Sequence, residues 1–161
     1  MSGKIAKEIQ QGKPFQSREE ESFLNLARTY EFLQQRVAEL LKEHQLTPSQ
    51  YNMLRILRGA EPDGVTCSQA TERMLSPDPD ITRLLDRMET NGLILRDRSK
   101  KDRRVVITRI TERGLEVTNR IDAPLHHLFK QCLGRVSQQR LKELIDTLEA
   151  LREPLPPAQC C

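Results

Sequence analysis

Several features that define other protein classes are missing from this chain of 161 residues. No apolar run exceeds a few residues, so we expect no transmembrane helix and no membrane partner. The N-terminal residues, MSGKIAKEIQQGK, lack the apolar core of a secretory signal. The 7 glycines and 9 prolines do not fit a collagen-like or low-complexity chain. The length and these absences favour a single-domain protein of the cytoplasm.

Motifs of common enzymes and metal sites are also absent. The chain has no glycine-rich phosphate loop, no G-x-S-x-G and no H-E-x-x-H, and its 3 histidines have no evident nucleophile as a partner. The 4 cysteines form no C-x-x-C pair, and we expect them to be reduced thiols. Cys67, at the start of a predicted helix, is interpreted as a small buried side chain. We therefore predict no catalytic residue, no metal and no cofactor.

The charged residues are distributed unevenly along the chain. The formal net charge is +3, but the segment from Arg96 to Arg113 holds eight basic and three acidic side chains, a local charge of +5. The remaining residues therefore sum to −2, since 3 − 5 = −2. A basic cluster on a nearly neutral protein indicates an anionic partner that binds at one place.

Helical periodicity dominates the first half of the sequence. Ser17 and Glu20 have the spacing of a capping box and precede a long helix. Three short helices follow, and we expect their caps at Thr47, Thr66 and Asp78. A helix of about 25 residues is too long to bury its whole apolar stripe in one small domain, so part of it should contact another element or a second copy. The stripe consists of Phe23, Ala27, Tyr30, Leu33, Val37, Leu40 and Leu41.

The pattern then changes to one typical of a β-hairpin. Two short apolar runs, 93–95 and 105–107, flank a highly charged connection, which predicts two strands with a long basic tip. Helical spacing resumes after Thr111, where Pro124 should kink or break the helix. A last helix is predicted to begin at Ser137.

Two short helices followed by a basic hairpin match a winged helix-turn-helix. The predicted fold class is therefore mainly α with a small two-stranded β wing. The second helix of this motif is the last of the three short helices, and its polar face should meet bases and phosphates in the major groove. The wing should neutralise phosphates. The predicted DNA-binding residues are Thr82, Arg83 and Arg87 on the helix and Lys100, Lys101, Arg103 and Arg104 on the wing.

Several of these segments together resemble the multiple-antibiotic-resistance regulator (MarR) family. The helix ITRLLDRME at 81–89, followed by NGLI at 91–94 and Arg96, is similar to the recognition helix and wing entry of that family. The similarity continues in DRR at 102–104 and in TERG at 111–114, which resembles the entry to a dimerisation helix. In total it covers about residues 20 to 152.

The resemblance implies a homodimer that is assembled through N- and C-terminal helices. Dimerisation helices at 17–45 and 112–152 would flank a winged helix-turn-helix lobe at 47–111. An N-terminal extension, 1–16, precedes this domain, and a tail rich in proline and cysteine, 153–161, follows it.

The same resemblance implies a transcriptional regulator, usually a repressor, that binds double-stranded DNA at a pseudo-palindromic operator. It implies that Arg104 enters the minor groove and that Asp102 holds it in position. The physics agrees, because a narrow minor groove concentrates negative potential. Many relatives are released by phenolic acids, so a small aromatic effector is an open alternative, although no residue here identifies one.

Two regions depart from the family pattern. Asp78 and Asp80 precede the recognition helix, where carboxylates would repel phosphates. We favour Asp78 as the helix cap and leave the role of Asp80 open. In the N-terminal extension, Ile5, Ile9 and Phe15 either pack on a partner subunit or belong to a frayed arm.

Two other classes of function are considered beside DNA binding. The absence of catalytic motifs argues against an enzyme. A winged-helix module that binds protein would have a non-basic wing and an exposed apolar patch, and the charge of +5 in the wing segment argues against it.

Overall fold

The computed structural model describes residues 3–76, 78–99 and 102–154, and it divides into two compact parts after His126. Within the described ranges, no helix is both long enough and apolar enough to cross a bilayer. The elements in chain order are α1 (Lys4–Glu8), α2 (Arg18–Glu43), α3 (Pro48–Arg58), β1 (Val65–Thr66), α4 (Cys67–Arg73), α5 (Ile81–Thr90), β2 (Ile94–Arg98), β3 (Val106–Ile110), α6 (Glu112–Leu133) and α7 (Gln138–Ala150).

Side-chain caps determine where α3 and α4 begin, as predicted. The hydroxyl groups of Thr47 and Thr66 each accept a hydrogen bond of 3.2 Å from the N–H three residues ahead. The side-chain oxygens of Gln50 and Gln69 accept in return from the N–H groups of the two threonines, at 2.9 and 3.0 Å. Both capping boxes are therefore complete.

The prediction that Asp78 caps the second helix of the motif was wrong. Helix α5 is capped by Asp80, whose Oδ1 accepts from the N–H of Arg83 at 3.2 Å. Asp78 accepts instead from the N–H of Asp80 at 3.0 Å, which closes a turn just before the helix. Pro79 and Asp80 still lie in the turn, and the helix begins at Ile81. Asp80 is therefore the residue next to the first helical N–H groups.

The core of the first part lies where α3, α4 and α5 meet the sheet. The predicted inner residues Leu54, Leu57, Leu84, Leu85 and Met88 are all buried. Each such side chain contributes about 1.5–3 kcal/mol when it is fully removed from water. Cys67 is exposed at the first position of α4, so its interpretation as a buried side chain was wrong.

The wing belongs to an antiparallel sheet of three strands with the order β1-β3-β2. The hairpin of β2 and β3 confirms the predicted wing. Strand β2 extends further into the charged connection than predicted, to Arg98, whereas β3 begins at Val106 and continues to Ile110. Strand β1 was not predicted. It consists of two residues, Val65 and Thr66, opposite Thr108 and Ile107, and a run this short shows no alternation in sequence.

Helices α1 and α2 show what the N-terminal extension does. Ile5 is buried, and the N–H of Gly3 donates to Glu21 Oε1 at 2.9 Å, so α1 packs on α2 of its own chain. Ile5 therefore belongs neither to a frayed arm nor to a surface that packs on a partner subunit. The N-terminal half of the predicted stripe of α2 is uncovered in the single chain, with Phe23 68% and Tyr30 48% exposed, whereas Leu41 at its C-terminal end is buried.

Helix α6 runs through Pro124, so of the two predicted outcomes, a kink or a break, the break does not occur. A proline inside a helix costs about 3 kcal/mol, largely through a lost backbone hydrogen bond. Ile121 and Leu125 on either side of it are buried, and this packing offsets the loss.

In the second part, Ser137 caps α7, as expected, through its Oγ and the N–H of Arg140. The predicted tail, 153–161, lies outside the described residues from 155 onwards.

A charged pair joins α3 to α6. Arg58 Nη1 donates to Asp122 Oδ2 at 2.7 Å, and Arg58 Nη2 donates to Asp122 Oδ1 at 3.1 Å. Asn119 Oδ1 accepts a further bond of 2.8 Å from Arg58 Nη1. The bonds from Arg58 hold the pKa of Asp122 below its ordinary value.

We expect Asp122→Asn to lower the free energy of unfolding at pH 7 by about 0.5–1 kcal/mol, a small value because both side chains are partly exposed. A depressed carboxylate pKa stabilises the fold above the unfolded pKa, about 3.9, and this contribution is lost as the pH falls through the folded pKa. Urea unfolding at pH 7, 5 and 3.5 should therefore show the difference between parent and variant shrinking below pH 5. The exposed Asp146→Asn provides the control, and a pH-independent difference would contradict the pairing.

Candidate nucleic-acid interface

The outer face of α5 carries the side chains that were predicted to contact bases. Thr82, Arg83 and Arg87 are all exposed, on the opposite side from the buried leucines. Arg87 Nε donates to the carbonyl oxygen of Arg83 at 3.2 Å, which orients its side chain along the helix. The terminal nitrogens of Arg87 lie beyond this bond, and their N–H donors have the fork geometry that a guanine edge or a phosphate accepts.

Asp86 lies on the same face but forms bonds within the protein. Its Oδ1 accepts from Arg96 Nη2 at 2.6 Å, and Arg96 also donates from Nε to Glu89 Oε2 at 2.9 Å. We call these three residues the α5–β2 clamp. Hydrogen bonds from Arg96 hold the pKa of Glu89 below its ordinary value, and those from Glu89 raise the pKa of Arg96. Arg96, counted above with the cations of the wing segment, is therefore neutralised within the fold.

The described part of the wing tip, residues 102–105, contains a turn that exposes two arginines. Asp102, Arg103 and Arg104 are exposed, whereas Lys100 and Lys101 lie outside the described residues. Asp102 Oδ1 accepts from the backbone N–H of Arg104 at 2.9 Å, and its carbonyl accepts from the N–H of Val105 at 3.0 Å. The contact between Asp102 and Arg104 that the resemblance implied is therefore made with the backbone, and it shapes the turn from which Arg104 projects.

The chain is similar to known proteins over most of its length. Residues 35–121, more than half of it, match the family model described as "Transcriptional regulator SarA/Rot". A MarR transcription factor from Planctomyces limnophilus, known from its crystal structure, is 36% identical, with a TM-score of 0.66, over 85% of this chain and 99% of that one. This chain belongs to the MarR family. It is a winged-helix transcriptional regulator.

Two further proteins are similar to this chain, one in structure and one in sequence. The MepR–DNA complex of Staphylococcus aureus superposes with a TM-score of 0.73 at 19% identity, over 83% of this chain and 97% of that one. The homoprotocatechuate degradative operon repressor of Escherichia coli is 28% identical over 110 residues, 68% of this chain and 73% of that protein. The MepR–DNA complex therefore has the same fold as this MarR protein.

Arg109 is a second basic residue of the wing segment that is bound within the MarR lobe. Its Nε donates to the carbonyl oxygen of Pro62 at 3.2 Å, which joins β3 to the loop after α3. Sequence reasoning missed both this bond and the α5–β2 clamp. The only sequence signal was the three-residue spacing of Asp86 and Glu89, which places two carboxylates on one edge of α5.

An open cleft of about 240 Å³ lies between the end of α2, the turn after α5 and the first turns of α6. Its lining is mixed polar and apolar, with one arginine and one histidine among the polar groups. The lining residues are His44, Gln45, Leu46, Asn91, Leu93, Arg113 and Val117. Among the residues the structure describes, no three His, Cys, Asp or Glu side chains come together as metal ligands would.

Proposed function

We propose that this MarR-family regulator is a homodimeric repressor that binds a pseudo-palindromic operator, with one half-site for each subunit. The observation that carries the proposal is that one lobe presents two exposed surfaces suited to DNA. These are the polar face of α5 and the basic turn of the wing. The helix would read base edges in the major groove through Thr82, Arg83 and Arg87.

The wing would supply the sequence-independent part of the affinity. Arg103 and Arg104 are exposed at its turn, and Lys100 and Lys101 precede them in the sequence. Each phosphate that these cations neutralise releases counterions, so binding should weaken steeply with salt. Asp102 would act through the shape of the turn, since its carboxylate accepts from the backbone of Arg104.

The homodimer is supported by apolar side chains that the single chain leaves uncovered. Phe23 and Phe32 on α2 are 68% and 53% exposed, and Leu144 and Ile145 on α7 are 46% and 54% exposed. Exposed apolar residues repeated along two helices are typical of an interface between copies. Sedimentation at micromolar concentration should give a dimer, and a monomer would remove the model of two half-sites.

A small aromatic acid is proposed as the effector that releases the DNA. The name of the Escherichia coli relative links that repressor to the degradation of homoprotocatechuate, a phenolic acid. The cleft beside Arg113 offers a cation for a carboxylate. The proposal includes no catalytic step and no cofactor, and it places the protein in the cytoplasm with its DNA.

The test is selection of duplexes from a random-sequence pool, followed by fluorescence anisotropy of the selected sequence against unrelated DNA. The proposal predicts two inverted half-sites about one helical turn apart. It also predicts affinity that exceeds binding to unrelated DNA by at least about 10³-fold and falls with salt. Loss of affinity in the presence of phenolic acids would identify the effector class. No enrichment and no binding at low salt would contradict DNA binding and favour the winged-helix module that binds protein.

A further inference from the structure

We propose that Arg96 is a positioning residue for DNA binding: it locks the recognition helix α5 to the wing strand β2, so that groove reading and wing contacts act as one rigid surface. This inference rests on the proposed function, because it concerns how the same lobe meets its operator. It assigns Arg96 to the protein's own carboxylates rather than to a phosphate.

The geometry of the α5–β2 clamp favours this role. The guanidinium of Arg96 donates to Asp86 Oδ1 at 2.6 Å and to Glu89 Oε2 at 2.9 Å from Nε and 2.5 Å from Nη2. The backbone N–H of Arg96 donates to the other Glu89 oxygen, Oε1, at 3.1 Å. Both carboxylate oxygens of Glu89 are therefore bound by one residue of β2, which fixes the strand and the helix to each other.

The clamp spans a short connection between the recognition helix and the wing. Only Asn91, Gly92 and Leu93 separate the end of α5 from the start of β2, and Gly92 has a φ of +66°. Such a turn allows the helix and the hairpin to change their angle through a few backbone dihedrals. Arg96 crosses this turn, so its bonds resist that change.

Burial and charge distinguish the clamp from an ordinary surface ion pair. The side chain of Arg96 is 24% exposed, less than those of Asp86 at 55% and Glu89 at 38%. The three residues together carry a formal charge of −1, which gives a phosphate no attraction at this point. An Arg96 that bound phosphate would have to leave two carboxylates unpaired beside the DNA.

The experiment measures operator affinity by anisotropy at several salt concentrations for the full-length parent, Arg96→Lys and Glu89→Gln. Lysine keeps the charge of Arg96 but loses the planar fork, so Arg96→Lys should weaken binding by about tenfold with an unchanged salt slope. Glu89→Gln removes a negative charge near the DNA, which favours tighter binding by charge alone. We expect it to bind more weakly than the parent, because the clamp is broken. Arg120→Lys, at an exposed arginine that is ion-paired to Glu116 on α6, is the matched control and should not change affinity.

A double-mutant cycle gives a readout that general destabilisation would not produce. If the clamp aligns the wing with α5, Arg104→Ala should weaken operator binding less in the Arg96→Lys background than in the parent. The logarithm of the fold-loss in affinity should be less than half of its value in the parent. Thermal unfolding of each variant checks that the fold is intact, and affinities are compared well below the midpoints.

Three results would overturn the inference. These are an Arg96→Lys variant with parental affinity, a Glu89→Gln variant that binds more tightly, or additive effects of Arg96→Lys and Arg104→Ala. Arg96→Met, added to this set of variants, tests the alternative, because a salt slope that falls by about one unit on loss of the charge would show a phosphate contact instead. If the parent itself binds no operator, the proposed function fails and the inference fails with it. If the parent binds and the cycle is additive, only the inference fails.

Discussion

Replacing Gly114 by alanine is expected to lower the free energy of unfolding by about 3 kcal/mol. A Cβ at this position would collide with the carbonyl oxygen of Leu93 and lie 2.7 Å from Ile110 Cγ1. The Leu93 oxygen cannot easily move, because it accepts from the N–H of Thr111 at 3.1 Å. Relief therefore requires the first turn of α6 to move away from the base of the wing.

Gly12→Ala is the matched control for this substitution. A Cβ there would meet nothing within 4 Å, and no left-handed backbone is involved. We expect its free energy of unfolding to stay within about 0.5 kcal/mol of the parent. Urea unfolding at pH 7 compares the two variants, and equal stabilities would contradict the close packing at Gly114.

The same contact explains the TERG segment at 111–114 in physical terms. Thr111 Oγ1 donates to the carbonyl of Gly92 at 2.7 Å and accepts from the N–H of Gly114 at 3.0 Å. Thr118 Oγ1 in turn donates to the carbonyl of Gly114 at 2.7 Å. A hydroxyl and a glycine three residues apart thus join the wing to α6 with no room for a side chain. From the sequence alone, the segment is recognisable only by its resemblance to the family.

Local patterns allowed much of the recognition lobe to be predicted. The spacing of Leu84, Leu85 and Met88 identified the buried face of α5 and therefore the exposed face that carries Arg83 and Arg87. The caps of α3 and α4 could be predicted because a capping box is complete within four residues. Such features depend on neighbours in the sequence, which is why they were found without a structure.

Features that depend on tertiary placement could not be predicted. Arg96 and Arg109 were counted as cations for a partner, but their guanidinium groups bind Glu89 and the Pro62 carbonyl. The continuity of α6 at Pro124 depends on packing that the helix pattern does not contain. Counting charges along the wing segment therefore overstated the number of cations that face solvent, and the salt slope for DNA should reflect the smaller number.

We expect Arg104→Ala to weaken operator binding by about 1–3 kcal/mol, or roughly 5- to 150-fold, if the side chain enters the minor groove. Asp102 supports this position because its carboxylate closes the turn through the Arg104 N–H at 2.9 Å. An inserted guanidinium sheds water more easily than an ammonium does, so Arg104→Lys should recover only part of the lost affinity. A cation that merely faces a phosphate would be replaced fully by lysine.

Anisotropy titrations with the selected operator measure these affinities, and Arg28→Ala provides the control. Arg28 is 61% exposed on α2, well outside the lobe in sequence, and its removal changes the net charge by the same amount. We expect this control to change affinity less than about twofold, since a distant exposed charge is screened beyond about 10 Å at 0.1 M salt. Equal binding by Arg104→Ala and the parent would remove Arg104 from the interface. Full recovery by Arg104→Lys would place its charge at the phosphate backbone and not in the minor groove.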